Sequence, residues 1–255
     1  MALRVPWIGI ACLTAWLASV SASAEPAPTE APPPPVAKPG IPSTGTGATP
    51  RRGGIGGQIG GSAFYGQEDY GTGALPRFDF EAHFRYVFTN RWRAQFSPGF
   101  TWSAYSDKEK PPMTDIHFPS ETTKKRYLTL LTPMTLQAQF TWHIGQWLYH
   151  LGAGPGLYRV VVENHRKVLQ DPITFRLHRG VYTGYSAELG AERFLKTLPS
   201  TSIELSIADH HAFVTRDDQF KGGWNSNLSG AGVRMGANYY FDVDRKKPPE
   251  LPLNR

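Results

Sequence analysis

Phe78-Asp79-Phe80-Glu81-Ala82-His83-Phe84-Arg85-Tyr86-Val87-Phe88 decides the fold. Every second residue is apolar and most of those are aromatic, while Asp79, Glu81, His83 and Arg85 fill the gaps. Successive side chains of a strand point to opposite faces. The run therefore predicts one strand with a greasy face and a charged face. Thr89-Asn90 follows as a tight turn. Trp92, Ala94, Phe96, Pro98, Phe100, Trp102 and Ala104 then alternate with Arg93, Gln95, Ser97, Gly99, Thr101 and Ser103. The two runs predict a long hairpin.

The same period of two recurs outward from this hairpin. It is weak and Gly-rich in Ile55–Tyr65, and clear around 128–142, 149–158, 181–192, 203–208 and 233–241. That makes eight strands, most of ten or more residues, longer than the five or six common in soluble sheets. The connections alternate in length. Thr89-Asn90, the turn near His143–Gln146 and Lys196–Ser200 are short. The stretches 67–75, 106–123, 163–176 and 213–228 are long and polar. Short turns at one end and long loops at the other are the layout of membrane-spanning barrels. The expected fold is all-β: an eight-stranded antiparallel up-and-down transmembrane β-barrel over residues 54–242, with both termini at the short-turn end.

Alternation alone does not say which face is inside. The composition of the faces does. An eight-stranded barrel holds only modest side chains or one small ligand, too little room for the whole set of Phe, Tyr, Trp and Leu. The Gly- and Ser-rich polar face fits a cramped lumen better. The inward charges are then Asp79, Glu81, Arg85, Arg93, Glu188, Glu192, Glu204 and Arg234, with Arg77 beside them. Unpaired charge in a narrow lumen is costly, so a salt-bridged plug is expected, with a gated ion pathway as the sharper alternative. Trp92, Trp102, Tyr105, Trp142, Trp147, Tyr149, Tyr239 and Phe241 fall near strand ends, where aromatic girdles meet the membrane interfaces. Tyr239 and Phe241 close the final strand.

Flanking segments carry their own signals. Arg4 precedes an apolar run, Val5–Val20, and Ala22-Ser23-Ala24 has the small-x-small pattern of a cleavage site. Residues 1–24 read as a secretory signal peptide; an uncleaved anchor is the alternative. Residues 25–53 hold Pro32-Pro33-Pro34-Pro35 and little to bury, which predicts an extended, disordered periplasmic segment. Residues 243–255 form a short polar tail. The single cysteine, Cys12, lies within the apolar run, so neither a disulfide nor a cysteine metal site is available. No metal and no cofactor are expected.

The chain carries 27 Lys+Arg against 21 Asp+Glu, a formal net charge of +6. The bases are spread through loops without a binding motif, so nucleic-acid binding is not expected. Lys124, Lys125, Arg126, Arg176 and Arg179 are candidate contacts for lipopolysaccharide phosphates. Asp209-His210-His211 is the cluster that invites a metal or enzyme reading, with Ser206 sharing the inward face of His210. Gly54–Gly61 precedes a strand rather than a helix, which argues against a phosphate loop.

Three stretches carry a family resemblance: Leu151-Gly152-Ala153-Gly154-Pro155-Gly156-Leu157-Tyr158, Glu188-Leu189-Gly190-Ala191-Glu192-Arg193-Phe194, and Gly232-Val233-Arg234-Met235-Gly236-Ala237-Asn238-Tyr239-Tyr240-Phe241. On these the chain resembles the small OmpA/OmpX/OmpW-like outer-membrane barrels. The last stretch looks like the final-strand signal such barrels present to the assembly machinery. The tail after Phe241 departs from the many relatives that end on that aromatic. The resemblance implies a monomer in the bacterial outer membrane, with periplasmic termini and lipid and lipopolysaccharide as partners. It implies a structural or surface-interaction role rather than an enzyme. A narrow solute channel, or a lipid A-modifying enzyme using His210 or His211, are the alternatives.

Overall fold

The computed structural model describes residues 48–112, 115–214 and 220–243. The signal peptide expected in 1–24, most of the Pro-rich segment expected in 25–53, and the tail from 244 onward lie outside the described residues.

Eight long strands form the wall: β1 (Arg52–Tyr65), β3 (Arg77–Val87), β4 (Trp92–Tyr105), β5 (Tyr127–Ile144), β6 (Trp147–Asn164), β8 (Arg179–Phe194), β9 (Thr201–Ala212) and β10 (Leu228–Asp242). Two short pieces, β2 (Ala74–Leu75) and β7 (Lys167–Val168), pair with the ends of β4 and β6. Each wall strand pairs antiparallel with its chain neighbours, and β1 pairs with β10 from Arg52↔Asp242 to Tyr65↔Ser229. The sheet is closed, so the wall has no edge left to pair.

Strand limits follow the turn chemistry. Ile144 and Trp147 are paired directly, and Gly145 takes the positive φ of 61° that this two-residue turn needs. Thr89 Oγ1 accepts from the amides of Arg91 and Trp92 at the β3–β4 turn. All three short turns lie at the end where Arg52 meets Asp242. The four long loops gather at the other end.

Polarity is inverted relative to a water-soluble barrel. Ile59, Phe80, Leu136, Leu205, Ile207 and Met235 point outward and are exposed, the last to 59%. Asp79, Glu81, Arg85, Arg93, Glu188, Glu192, Glu204 and Arg234 are all buried inside. A continuous exposed apolar belt is far beyond what water-soluble monomers carry, and it matches a lipid-facing wall.

Inner-face glycines make room for the larger polar groups. A Cβ at Gly56 would overlap Asn238 Oδ1 and His83 Nε2, and one at Gly190 would overlap the His150 ring.

Trp92, Trp142, Trp147, Tyr239 and Phe241 gather at the short-turn rim, where Trp92, Phe140, Trp142 and Tyr149 run ring against ring at centroid spacings of 5.3, 6.0 and 5.9 Å. Trp102 sits at the opposite rim under the Arg77 guanidinium, 5.2 Å from the ring centre. Arg77 is thus a rim cation stacked on an aromatic, not a member of the lumen lattice. Tyr105 is not a girdle residue either. It is 2% exposed and turns inward at the loop end.

Candidate functional site

Three places hold the chemistry: the lumen lattice, the loop-end cap, and the outer wall around His211.

The lattice has two layers. Nearer the short turns, Arg85 donates Nη1 to Glu192 Oε1 and Nη2 to Glu204 Oε1, both at 2.8 Å, and Nε to Gln95 Oε1 at 2.5 Å. Arg93 reaches Glu192 Oε1 at 2.5 Å, and donates to Tyr240 Oη at 2.9 Å and Gln139 Oε1 at 2.5 Å. Tyr240 in turn donates to Glu192 Oε2 at 2.9 Å. His150 Nε2 lies 3.1 Å from Glu188 and 3.2 Å from Glu204. Asn238 donates to Glu204 Oε2 at 2.8 Å and bonds His83. Nearer the loops, Arg234 binds Asp79 at 2.7 Å, Glu81 at 2.6 Å and His210 Nε2 at 2.8 Å. These carboxylates and guanidiniums come from five different strands, and His150 adds a sixth, so the lattice cross-links the wall through its own interior.

Among the described residues, His150, Glu192 and Glu204 bring possible ligand atoms within 4.8 Å of one another. The Arg85 guanidinium already spans the two carboxylates, so the positive charge at that point is supplied by the chain itself.

Above the lattice, the loop end is closed by an apolar cap that the sequence pattern did not reveal. Trp224 is fully buried and packs against Tyr70, Tyr105 and Tyr127 at centroid distances of 5.7, 5.4 and 5.7 Å. Leu131, Tyr158, Val160, Val162, Leu169 and Leu228 belong to the same cluster, with Phe64, Ala212 and Val214. Trp224 holds a φ of 60°, uncommon for so bulky a residue. Burial of the indole among three tyrosines sustains that backbone. Tyr70 donates to the Trp224 carbonyl.

Lys124 belongs to this cap. It is 2% exposed, its Nζ donates to the carbonyls of Asp69 at 3.0 Å and Thr72 at 3.1 Å, and it lies over the Tyr105 and Trp224 rings. Expected as a lipopolysaccharide contact, Lys124 is corrected to an internal staple, because all of its donors face the protein. Burial holds its amine below the usual lysine range, partly offset by Asp69 and Glu109. Lys125, Arg126 and Arg176 are exposed on the loops, and Arg179 is exposed at the start of β8. Arg126 leans on His165, 3.0 Å away.

Asp171 ties two loops together. It accepts from the amides of Ile173 and Thr174 at 2.8 Å through Oδ1 and from Gly222 at 2.9 Å through Oδ2. Burial raises its pKa, but these amides and Thr174 outweigh burial and hold the carboxyl below its ordinary value. Beside it, His178 stacks on Phe220 at 3.7 Å. Burial pushes this imidazole down to about 4 against the opposing pull of Asp171.

Between its ordinary value and about 4, His178 binds its proton more readily in the opened loop. Its contribution to closure is therefore complete above the ordinary value and is lost as pH falls from there toward 4. Asp171 adds a loss only below the ordinary carboxylate value. Limited proteolysis of the detergent-folded protein is expected to cut loops 165–178 and 213–227 faster at pH 4.5 than at pH 7.5. His178→Phe should remove the part of that rise that lies above pH 4.5.

Asp209-His210-His211 does not act as a unit. Strand geometry sends His210 inward, to Arg234 and to Tyr158 Oη at 3.4 Å, and turns Asp209 and His211 outward. Ser206 donates to Gln58 at 2.9 Å and lies four residues along the strand from His210, roughly 13 Å at strand spacing. A Ser206–His210 pair is therefore ruled out by distance. The partner of His211 is Ser229 of the adjacent strand, with His211 Nδ1 2.7 Å from Ser229 Oγ. Sequence reasoning missed Ser229 because the contact depends on the β9–β10 register.

Neither a family model nor a curated protein matches the sequence. Solved structures of similar fold include Neisserial surface protein A (12% identity, covering 78% of this chain and 100% of that one, TM-score 0.48). Others are the attachment invasion locus protein Ail of Yersinia pestis (14%, 76% and 100%, 0.41) and the outer membrane protein OprG of Pseudomonas aeruginosa (12%, 77% and 99%, 0.42). By its own strand count, closure and inverted polarity, the chain is a closed eight-stranded antiparallel β-barrel with an apolar outer wall and a charged interior.

Proposed function

We propose that this chain is a closed outer-membrane β-barrel with a structural or surface-interaction role in the Gram-negative envelope. The observation that carries this reading is the doubly blocked interior. The Arg85–Glu192–Glu204 lattice ties the lumen walls together, and the Trp224 cap covers it. A steady aqueous path would need both to rearrange. The surfaces left free to interact are the lipid-facing wall and the loops. In this reading the chain is a monomer delivered by its signal peptide and inserted by the barrel-assembly machinery. The termini are periplasmic, and Lys125, Arg126, Arg176 and Arg179 stand beside lipopolysaccharide phosphates. Charge-assisted contacts to phosphate suit such exposed bases.

Planar-bilayer recording of the purified protein tests this function. The expected result is no stable conductance from the wild type. Steady ion-selective steps with the lattice intact would replace this reading with the narrow-channel alternative. Lys125→Ala/Arg126→Ala is expected to weaken retention by lipopolysaccharide-containing vesicles at low salt while leaving the unfolding midpoint in place.

A further inference from the structure

Opposite the lattice, on the outside of the wall, four polar side chains form one row across four strands. The direct pairings Tyr65↔Ser229, Ser229↔His211 and His211↔Tyr185 place them shoulder to shoulder on β1, β10, β9 and β8. Ser229 Oγ and His211 Nδ1 are 2.7 Å apart. The Tyr185 ring stacks on the imidazole at 5.1 Å, which fixes its plane. Tyr65 Oη donates to Asp209 Oδ1 at 2.9 Å.

The next row toward the short turns is Ala63, Ala231, Asp209 and Ala187. Three alanines flank one carboxylate in this row, and the Tyr65 side chain reaches across to it. Beyond it, Val233, Ile207 and Leu189 resume the apolar belt.

The depth of this row matters. Ser229 lies ten residues along β10 from the rim residue Tyr239. At about 3.3 Å per residue and a tilt of about 40°, that is about 25 Å along the membrane normal. The lipid-facing apolar band of such barrels is about 25 Å tall. The row therefore stands where the outer leaflet passes from hydrocarbon to headgroup. The carboxylic esters that join lipid acyl chains to their headgroups lie at this level, and water is at hand.

We propose that Ser229 and His211 form an acyl-transfer site on the outer wall, acting on the acyl esters of outer-leaflet lipids. His211 Nδ1 takes the Ser229 hydroxyl proton as Oγ attacks the ester carbonyl carbon. The carbon–oxygen bond to the lipid alcohol then breaks, and His211 returns the proton to the leaving oxygen. Water, deprotonated by His211, attacks the acyl-Ser229 ester. This releases the fatty acid and restores the serine. Tyr65, paired directly with Ser229, is the neighbouring O–H donor; it would meet the developing oxyanion by turning its proton from Asp209. The exposed side chains of Val233, Ile207 and Leu189 give the acyl chain an apolar surface to lie on. The membrane substrate rests on the outer-membrane placement proposed above; the serine–histidine pair does not.

The test separates the two. Full-length protein is folded in detergent and its fold is checked by heat-modifiable migration. It is then treated with a fluorophosphonate probe, which labels activated serines, and digested for peptide mass analysis. Labelling at Ser229 is expected, with none in Ser229→Ala and about 10²–10⁴-fold slower labelling in His211→Ala. His211→Gln, closer in size, should behave like His211→Ala. Fatty-acid release is measured in parallel from phosphatidylethanolamine vesicles and from vesicles containing lipopolysaccharide. Release from either, lost in Ser229→Ala, supports the site and identifies the ester source. A correctly folded wild type that neither labels at Ser229 nor releases fatty acid above the Ser229→Ala level overturns it. A chain that labels at Ser229 but does not reach the outer membrane would keep the site and reject the placement.

Discussion

Arg85→Ala is expected to destabilise the folded barrel by about 3–5 kcal/mol, the usual cost of breaking a buried ion pair by removing one partner. Arg85 is the hub of the inner layer, since one guanidinium spans Glu192 and Glu204 and holds Gln95 as well. Its loss leaves two fully buried carboxylates without the guanidinium that bridged them. Arg93 still reaches Glu192, but Glu204 keeps only His150 and Asn238. Equilibrium unfolding in urea, followed by tryptophan fluorescence in lipid vesicles, measures the loss. Adding Glu204→Gln to Arg85→Ala should return part of the stability, because the stranded charge goes with the glutamate. Two single changes that add without interaction would show that Arg85 and Glu204 are not coupled.

Trp224→Ala should remove about 3–5 kcal/mol from the loop-end cap, in line with large aromatic-to-alanine changes in packed cores. The effect is expected to be local. The cap draws its residues from the loop ends of β1, β4, β5, β6, β9 and β10 and from the loops, while the wall below is held by its own backbone ladder and the lattice. Proteolysis of loops 66–76 and 213–227 should quicken sharply. The heat-modifiable migration of the barrel should survive. Bilayer recordings of Trp224→Ala should stay silent while the lattice is intact. Steady conductance from this change alone would make the cap, rather than the lattice, the barrier.

Much of the wall is readable in the sequence, for a simple reason. A strand repeats its environment every second residue, so Phe78–Phe88 states its own two faces. The restriction on lumen volume then assigns which face is inside. The barrel limits move little, with β1 beginning at Arg52 rather than 54, but single strands run further toward the loops than their alternation shows: β6 continues to Asn164, β9 to Ala212, and β10 starts at Leu228. The cap follows no period. Trp224, Tyr70 and Lys124 lie in polar loops that converge only after the barrel closes, so Lys124 reads as a surface base and Tyr105 as a girdle residue. Cross-strand chemistry is hidden in the same way. Ser206 is the serine nearest in sequence on the face of His210, but it is His211, on the other face, that gains a serine partner, Ser229, through the β9–β10 register.

The inside-out polarity of the wall is the central claim, and β9 tests it most directly. In a Cys12→Ser background, single cysteines at Ser202, Ile203, Leu205, Ser206 and Ile207 would each carry a nitroxide in the lipid-reconstituted protein. Accessibility to molecular oxygen, which concentrates in hydrocarbon, is then compared with accessibility to a water-soluble nickel complex. Oxygen maxima are expected at 203, 205 and 207, with minima for both reagents at 202 and 206. Nickel-complex maxima at 203, 205 and 207 would place the apolar face in water and contradict the inside-out polarity.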